Sequence, residues 1–386
     1  MEKEQFLLIL TKYLEGNAGP EEENFLYAYY KLFLADAEVM SLLQDKEKEK
    51  LKLSIKAGID AALDRQEPSV RKISLWPRIA AAASILLFLS IGAYFILRKK
   101  QSTQQLARNH QYIDIKPGGN KATLILSNGA KIVLTGAKNG NIARQANTII
   151  KKTADGRVVY EANQKVSPAG GDIEGTAYNT MTTPRGGRYE ATLADGTRFV
   201  LDAGSSIRYP VQFTGKERLV EITGQVYFEV THDSAHPFIV SVKGQTIEDV
   251  GTQFNINAYN DEPVIRTTLI EGSVRVTKSN ETAMLRPGQQ AVTVPNSNTI
   301  TIKNADIKEA VAWKNGRISF SNEDIQEIMR QVSRWYDVDI RYEGTIPARQ
   351  FDGSISRNAN LADLLKILEF NNIHFTVSGK KITVRP

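Results

Sequence analysis

The chain has 386 residues, with 49 Lys plus Arg, 43 Asp plus Glu, four His and no Cys, and 41% of its residues are hydrophobic. This length predicts about two to three domains, and the composition excludes a disordered or fibrous protein. The absence of Cys excludes disulfide frameworks, thiolate metal sites and cysteine nucleophiles. Residues 1–76 carry a net charge of −3 and the remainder +9. The overall +6 therefore does not describe one basic surface, and no direct nucleic-acid binding is expected.

The first 76 residues are predicted to form a small all-α segment. Apolar residues recur every three or four positions from Phe6 to Leu14, and Pro20 followed by three glutamates begins a second such stretch. A third stretch covers residues 37–63. Three short amphipathic helices form only a marginal core. They are therefore either a self-contained bundle or an apolar face that binds the helices of another protein.

An uncharged run from Ile79 to Leu97 predicts one transmembrane helix within residues 77–98. Nineteen residues at about 1.5 Å each span about 28 Å, close to the roughly 30 Å hydrocarbon core of a bilayer. Arg78 precedes the run and three basic residues follow it. A buried core helix is the alternative, but such helices are seldom apolar on every face. Basic residues are balanced on the two sides, so the charge pattern does not orient the helix.

Residues 99–295 are predicted to be mainly β-structure. Ile115–Leu134 aligns without gaps with Thr182–Leu201, which lies 67 residues later. Each copy consists of a strand, a turn and a return strand, which indicates a duplicated hairpin rather than a single active site. Turn-forming pairs separate the short strands at Asn128-Gly129, Asp155-Gly156, Asp195-Gly196 and Glu271-Gly272.

Residues 310–386 are predicted to form an α+β domain in the order β-α-β-β-α-β-β. Its first helix follows the strand Gly316–Phe320, with Ser321 as the cap and Asp324 three residues later. The second helix begins at Asn360. The remaining predicted strands are Val338–Tyr342, Gln350–Ser356, His374–Val377 and Lys381–Arg385.

Few residues point to a metal or cofactor site. His232 and His236 lie close together, and with Asp233 they could hold a metal. A turn with incidental histidines is the simpler interpretation, because no third His stands nearby. The pair Gly186-Gly187 invites a nucleotide-binding interpretation, but its context lacks both the spaced glycines and the lysine of a phosphate-binding loop. We therefore expect no metal, no cofactor and no catalytic triad.

The dipeptide Gly251-Thr252 supports one chemical hypothesis. A threonine hydroxyl beside the preceding carbonyl is the arrangement that an N-to-O acyl shift requires, and glycine offers the least steric hindrance to it. A tight entry into a strand is the alternative interpretation. Gly-Thr also occurs at Gly175, Gly196 and Gly344, so the dipeptide alone is a weak signal.

Residues 180–295 closely resemble the FecR domain of membrane-spanning anti-sigma factors. The segments that carry this resemblance include TPRGGRYEATLADGTRFVL, GQVYFEV, VGTQFNINAY and LRPGQQA. The N-terminal segment LLILTKYLEGNAGPEEENFLYAY is similar to the sigma-binding helices of the same family, with Tyr29 where many members have Trp. The segment AWKNGRISFSNEDIQEIMRQVSRWYDVDIRYEG is similar to the C-terminal domain of its Bacteroidetes-type members.

This resemblance implies a single-pass inner-membrane protein, surrounded by membrane lipid, with a cytoplasmic N-terminus and a periplasmic C-terminus. Its cytoplasmic helices would bind an extracytoplasmic-function sigma factor and so regulate transcription. Residues 310–386 would meet the signalling domain of a TonB-dependent outer-membrane transducer. Some members cleave themselves at the Gly-Thr that Gly251-Thr252 matches, and no other enzymatic activity is expected. The predicted sigma-binding residues are Leu7, Leu10, Tyr13, Leu14, Phe25, Leu26 and Tyr29.

Two other functions are alternatives to this one. A membrane-tethered envelope protein could bind a ligand or glycan through its β domain, and its function would then survive deletion of the N-terminal helices. A periplasmic hydrolase would need a catalytic cluster, which the sequence does not offer.

Overall fold

The computed structural model describes residues 115–145, 147–162, 177–249, 251–295, 297–369 and 373–386, and six positions between residues 9 and 22. Among those six, Ile9 is buried, Tyr13 is exposed, and Lys12 pairs with Glu22 at 2.7 Å between Nζ and Oε1. The predicted transmembrane run lies outside the described residues. So do six of the predicted sigma-binding residues, which are Leu7, Leu10, Leu14, Phe25, Leu26 and Tyr29. Within the described part, no helix has the length and apolar character needed to cross a membrane.

The β-rich region contains nineteen strands among the described residues. The first ten are β1 (Gly119–Asn120), β2 (Thr123–Ile125), β3 (Lys131–Val133), β4 (Gly140–Gln145), β5 (Thr148–Lys152), β6 (Val158–Ala162), β7 (Tyr178–Thr182), β8 (Gly187–Thr192), β9 (Arg198–Leu201) and β10 (Ser206–Pro210). The others are β11 (Arg218–Glu229), β12 (Phe238–Val242), β13 (Gln245–Asp249), β14 (Gln253–Ala258), β15 (Ile265–Glu271), β16 (Val274–Lys278), β17 (Glu281–Leu285), β18 (Gln289–Thr293) and β19 (Ile300–Asn304).

Two sheets share the long strand β11. One runs in the order β3-β2-β7-β10-β11-β12-β13-β16-β17. The other runs β4-β5-β6-β8-β9-β11-β14-β15-β18-β19. The strand changes sheets at Gly224, where φ is +78° and a Cβ would collide with Ser205. Only glycine fits this position without strain. Buried side chains of both sheets form a single core, in which Phe228 stacks on Phe254 at 5.2 Å between ring centroids.

The predicted duplication of a hairpin is confirmed. In the first copy, the Leu126 N–H donates to the carbonyl of Ala130 at 2.9 Å. In the second copy, 67 residues later, the Leu193 N–H donates to the carbonyl of Thr197 at 2.8 Å. The turn glycines Gly129 and Gly196 both have positive φ, as a tight hairpin turn requires.

The C-terminal domain has the predicted order of elements, preceded by a short helix. The short helix is α1 (Ile307–Ala310). The helices of the domain are α2 (Ile325–Tyr336) and α3 (Leu361–Glu369), and its strands are β20 (Arg317–Asp324), β21 (Asp339–Tyr342), β22 (Gln350–Ser356), β23 (His374–Ser378) and β24 (Lys381–Arg385). Strands β20 and β22 form one antiparallel sheet. A second sheet has the order β21-β24-β23, with β21 parallel to β24.

The prediction that Ser321 caps helix α2 was wrong. The N-cap is Asp324, whose side chain accepts the Glu327 N–H while the Glu327 carboxylate accepts the Asp324 N–H. Strand β20 continues to Asp324 because that residue pairs with Gln350 of β22, so the helix cannot begin earlier. The helix buries the predicted face, which comprises Ile325, Ile328, Met329, Val332 and Trp335.

Candidate functional site

Gly251 and Thr252 lie in the connection from β13 to β14. Gly251 has φ of +92°, a conformation that favours glycine. Its N–H donates to Oδ2 of Asp249 at 2.9 Å. The Thr252 carbonyl accepts the N–H of Val230 at 3.0 Å. Hydrogen bonds on both sides of the Gly251-Thr252 peptide therefore fix its position.

Two neighbours contact this dipeptide closely. A Cβ built on Gly251 would lie 2.5 Å from Nδ1 of His232, so the imidazole lies directly against this glycine. A Cβ built on Gly272 would lie 2.7 Å from the Gly251 carbonyl oxygen and would overlap the Thr252 methyl group. Neither glycine can therefore be replaced without moving the dipeptide or the imidazole.

The Thr252 side chain is buried, and its Oγ1 has no hydrogen-bond partner among the described residues. Leaving a buried hydroxyl unpaired costs about 1–3 kcal/mol. The other described Gly-Thr pairs differ from this one. The hydroxyl of Thr197 donates to Asp195 at 2.7 Å, and Thr345 is exposed. Thr252 therefore differs from the other two in having a buried hydroxyl with no hydrogen-bond partner among the described residues.

The two clustered histidines have different neighbours. His236 places Nδ1 2.9 Å from Oδ2 of Asp233, and both side chains are exposed. His232 instead lies against Gly251. The sequence does not reveal this contact, because His232 follows β11 whereas Gly251 follows β13, and only the packing of the strands brings them together.

A buried ion pair joins the β-rich region to the C-terminal domain. Arg357 places Nη1 and Nη2 at 2.5 and 3.0 Å from the two carboxylate oxygens of Asp202, and both residues are 4% exposed. Burial acts to raise the pKa of Asp202, but the charge and hydrogen bonds of Arg357 outweigh it and hold that pKa below its usual value. The Asp202 carboxylate is therefore charged in the folded protein.

Helix α2 adds further ion pairs at this junction. Arg334 donates to Asp261 at 2.8 and 2.9 Å and to Glu262 at 2.7 Å. Its guanidinium also lies over the ring of Tyr259, at 4.1 Å from the centroid. Arg330, one turn earlier, donates to the second oxygen of Glu262 at 3.0 Å. Charged groups of α2 thus cover the loop between β14 and β15.

The first described residues after position 114 also pack against the C-terminal domain. Ile115 accepts the N–H of Leu361 at 3.1 Å through its carbonyl. A Cβ on Gly118 would lie 2.8 Å from the Trp335 ring and 2.9 Å from the Gly186 carbonyl oxygen. The Gly186 N–H in turn donates to the carbonyl of Arg334 at 2.7 Å. The chain at Gly118 is therefore held between α2 and the turn before β8.

A polar cleft of about 400 Å³ lies between the β-rich region and the C-terminal domain. Asn257 and Arg266 line one side, and Glu309, Glu323 and Glu327 line the other. Burial, with smaller contributions from Glu327 and Glu309, raises the pKa of Glu323 to about 8. This carboxyl group is therefore largely protonated at neutral pH.

Comparisons with known proteins identify both regions. The FecR protein family model matches residues 179–275, and the model for the FecR C-terminal domain matches residues 317–384. The chain therefore contains a FecR domain and a FecR C-terminal domain. The predicted resemblance is thus confirmed for the FecR domain and for the FecR C-terminal domain.

Two crystal structures of a proposed anti-sigma factor from Parabacteroides distasonis ATCC 8503, at 2.50 and 1.65 Å resolution, are similar to this chain. Both are 26% identical to it, with TM-scores of 0.51 and 0.50. The similarity covers 54% and 53% of this chain and 98% and 97% of theirs. No curated protein matches the chain.

We predict that Arg357→Ala destabilises the folded protein by about 3–5 kcal/mol, because it removes the cation that is hydrogen-bonded to the buried Asp202 carboxylate. Arg275→Ala is the matched control, since Arg275 pairs with Glu248 at 2.8 Å on the surface of the FecR domain. Such exposed pairs contribute about 1 kcal/mol or less. Thermal unfolding of the purified chain measures both effects. An equal decrease in melting temperature in the two variants would contradict the importance of the buried pair.

Glu323→Gln is expected to raise stability near pH 8. Since the folded protein holds the Glu323 proton up to about pH 8 and an unfolded carboxyl ionises near 4.3, stability falls as pH rises between these values. The variant has no carboxyl group that ionises on unfolding at this position. Its melting temperature should therefore fall less than that of the unaltered chain as pH rises over that range. The expected gain is about 1–2 kcal/mol, after allowance for partial exposure. Glu217→Gln, at an exposed position, is the control. An identical pH dependence of the melting temperature in both variants would contradict the raised pKa of Glu323.

Proposed function

We propose that this FecR-type protein is an anti-sigma factor that holds an extracytoplasmic-function sigma factor at the inner membrane. In this proposal residues 1–76 bind the sigma factor in the cytoplasm, residues 77–98 cross the membrane once, and the FecR domain and its C-terminal domain lie in the periplasm. The matches of both domains to the FecR family carry the proposal. The uncharged run and the amphipathic N-terminal pattern support its membrane and cytoplasmic parts.

The periplasmic signal in this proposal comes from the signalling domain of a TonB-dependent outer-membrane transducer that binds residues 310–386. The junction with the FecR domain offers a route for that signal. Binding that shifts α2 would disturb Gly118, which packs against Trp335. Gly118 belongs to the segment that follows the predicted membrane helix and its linker. The transducer needs only to bind one arrangement of this junction more tightly than the other.

We propose further that the chain cleaves itself between Gly251 and Thr252. Thr252 Oγ1 would attack the Gly251 carbonyl carbon, forming a C–O bond as the C–N bond breaks. The product is an ester with a free amino group on Thr252, and water then hydrolyses the ester. The unpaired buried hydroxyl of Thr252, which directly follows Gly251, supports this step.

Co-purification tests sigma binding directly. A fragment of residues 1–76 should retain a sigma factor encoded in the same genome. Leu10→Asp should weaken retention at least tenfold, because it places a charge on the predicted apolar face. Gln5→Asp adds the same charge on the opposite face of that predicted helix and should leave retention unchanged. Failure of the unaltered fragment to retain any sigma factor would overturn the anti-sigma proposal.

Self-cleavage has a separate test. The full chain should yield two fragments on a denaturing gel, the second beginning at Thr252, and Thr252→Ala should remain intact. Thr345→Ala is the matched control, since Thr345 also follows a glycine of positive φ but is exposed and lies in the C-terminal domain. We expect that variant to be cleaved like the unaltered chain. An unaltered chain that stays intact would contradict self-cleavage while leaving sigma binding untouched.

A further inference from the structure

The loop between β11 and β12 brings His232 to the Gly251-Thr252 peptide. The loop is fixed at both of its ends. Val230, two residues before His232, donates its N–H to the Thr252 carbonyl at 3.0 Å. The buried Arg218 side chain donates to the carbonyl oxygens of Thr231 at 2.9 Å and His236 at 2.7 Å. These bonds hold His232 in a defined position relative to the dipeptide.

The acyl shift requires a proton to move. Thr252 Oγ1 must lose its hydrogen as it attacks, and the Thr252 nitrogen must gain one as the C–N bond breaks. A buried hydroxyl with no hydrogen-bond partner has no acceptor for its proton unless a neighbouring group supplies one. Two titratable groups flank the peptide, namely the His232 imidazole and the Asp249 carboxylate, and Asp249 Oδ2 already accepts the Gly251 N–H at 2.9 Å.

We propose that His232 carries the proton in the N-to-O acyl shift at Gly251-Thr252, an inference that rests on the self-cleavage proposed above. An imidazole nitrogen accepts the Thr252 hydroxyl proton as the C–O bond forms and then donates it to the Thr252 nitrogen as the C–N bond breaks. The imidazole ends unchanged, and the products are the ester and the free amine. Imidazole suits this role because it both accepts and releases protons near neutral pH.

Other residues around the dipeptide act by positioning. Asp249 fixes the Gly251 N–H and thereby the orientation of the carbonyl that is attacked. Gly272 leaves room for that carbonyl oxygen and for the Thr252 methyl group. His232 is itself exposed, so a small molecule from solvent could reach the space that the imidazole leaves on substitution.

The test follows cleavage of the full chain over time on a denaturing gel, after its synthesis in a cell-free system. His232→Ala should be cleaved about 10²-fold more slowly, in line with the usual contribution of a positioned acid or base. His232→Gln should be equally slow, because an amide fills the space but does not carry a proton. His236→Ala removes the other exposed imidazole of the same loop and should be cleaved at the unaltered rate.

Added imidazole separates a chemical role from a structural one. It should restore cleavage of His232→Ala, whereas a slow variant that imidazole does not restore would overturn the proposal. Hydroxylamine, which cleaves esters, should not accelerate that variant, since the ester would not yet have formed. Acceleration by hydroxylamine would show that the shift proceeds without His232 and would overturn the proposal.

Failure of this inference is distinguishable from failure of self-cleavage itself. If the unaltered chain is cleaved, Thr252→Ala is not, and His232→Ala is cleaved at the unaltered rate, self-cleavage stands and His232 has no part in it. If the unaltered chain stays intact like Thr252→Ala, both proposals are overturned.

Discussion

Arg357 and Asp202 come from different domains, and neither charge could stay buried without the other. Removing a charge from water costs several kcal/mol, and the attraction between partners in a buried pair roughly offsets that cost. The pair therefore contributes little net stability while intact, but it strongly penalises any arrangement that buries only one partner. The pair therefore favours the closed arrangement of the junction between the FecR domain and the C-terminal domain, in which both partners are buried together.

The other contacts of the junction depend on this closed arrangement. Trp335, whose indole N–H donates to the Arg357 carbonyl at 2.8 Å, also packs against Gly118. Trp313 donates its indole N–H at 3.0 Å to Asn255, which lies on β14, the strand that follows Thr252 directly. One closed interface therefore touches both the segment that leads to the predicted membrane helix and the strand that begins at the proposed cleavage site. This is the physical basis on which the proposed signal to the C-terminal domain could reach either place.

Sequence patterns predicted the local features of this structure well. Turn pairs and the 67-residue repeat predicted the hairpins, and the predicted order of elements in the C-terminal domain was correct. The helix cap at Asp324 was missed because strand pairing with Gln350, a long-range contact, extends β20 past Ser321. Gly251-Thr252 was recognised as a dipeptide, but the approach of His232 depends on three-dimensional packing. The Arg357–Asp202 pair joins residues 155 positions apart, and no periodicity encodes such a contact.

Distance measurement between the two domains tests the closed junction most directly. The chain contains no Cys, so Lys216→Cys in the FecR domain and Lys381→Cys in the C-terminal domain would be its only sites for spin labels. Both lysines are exposed and neither belongs to the junction. Double electron–electron resonance on the full chain should give one narrow distance distribution, which broadens when Arg357→Ala is added. A broad distribution in the chain that retains Arg357 would contradict the account.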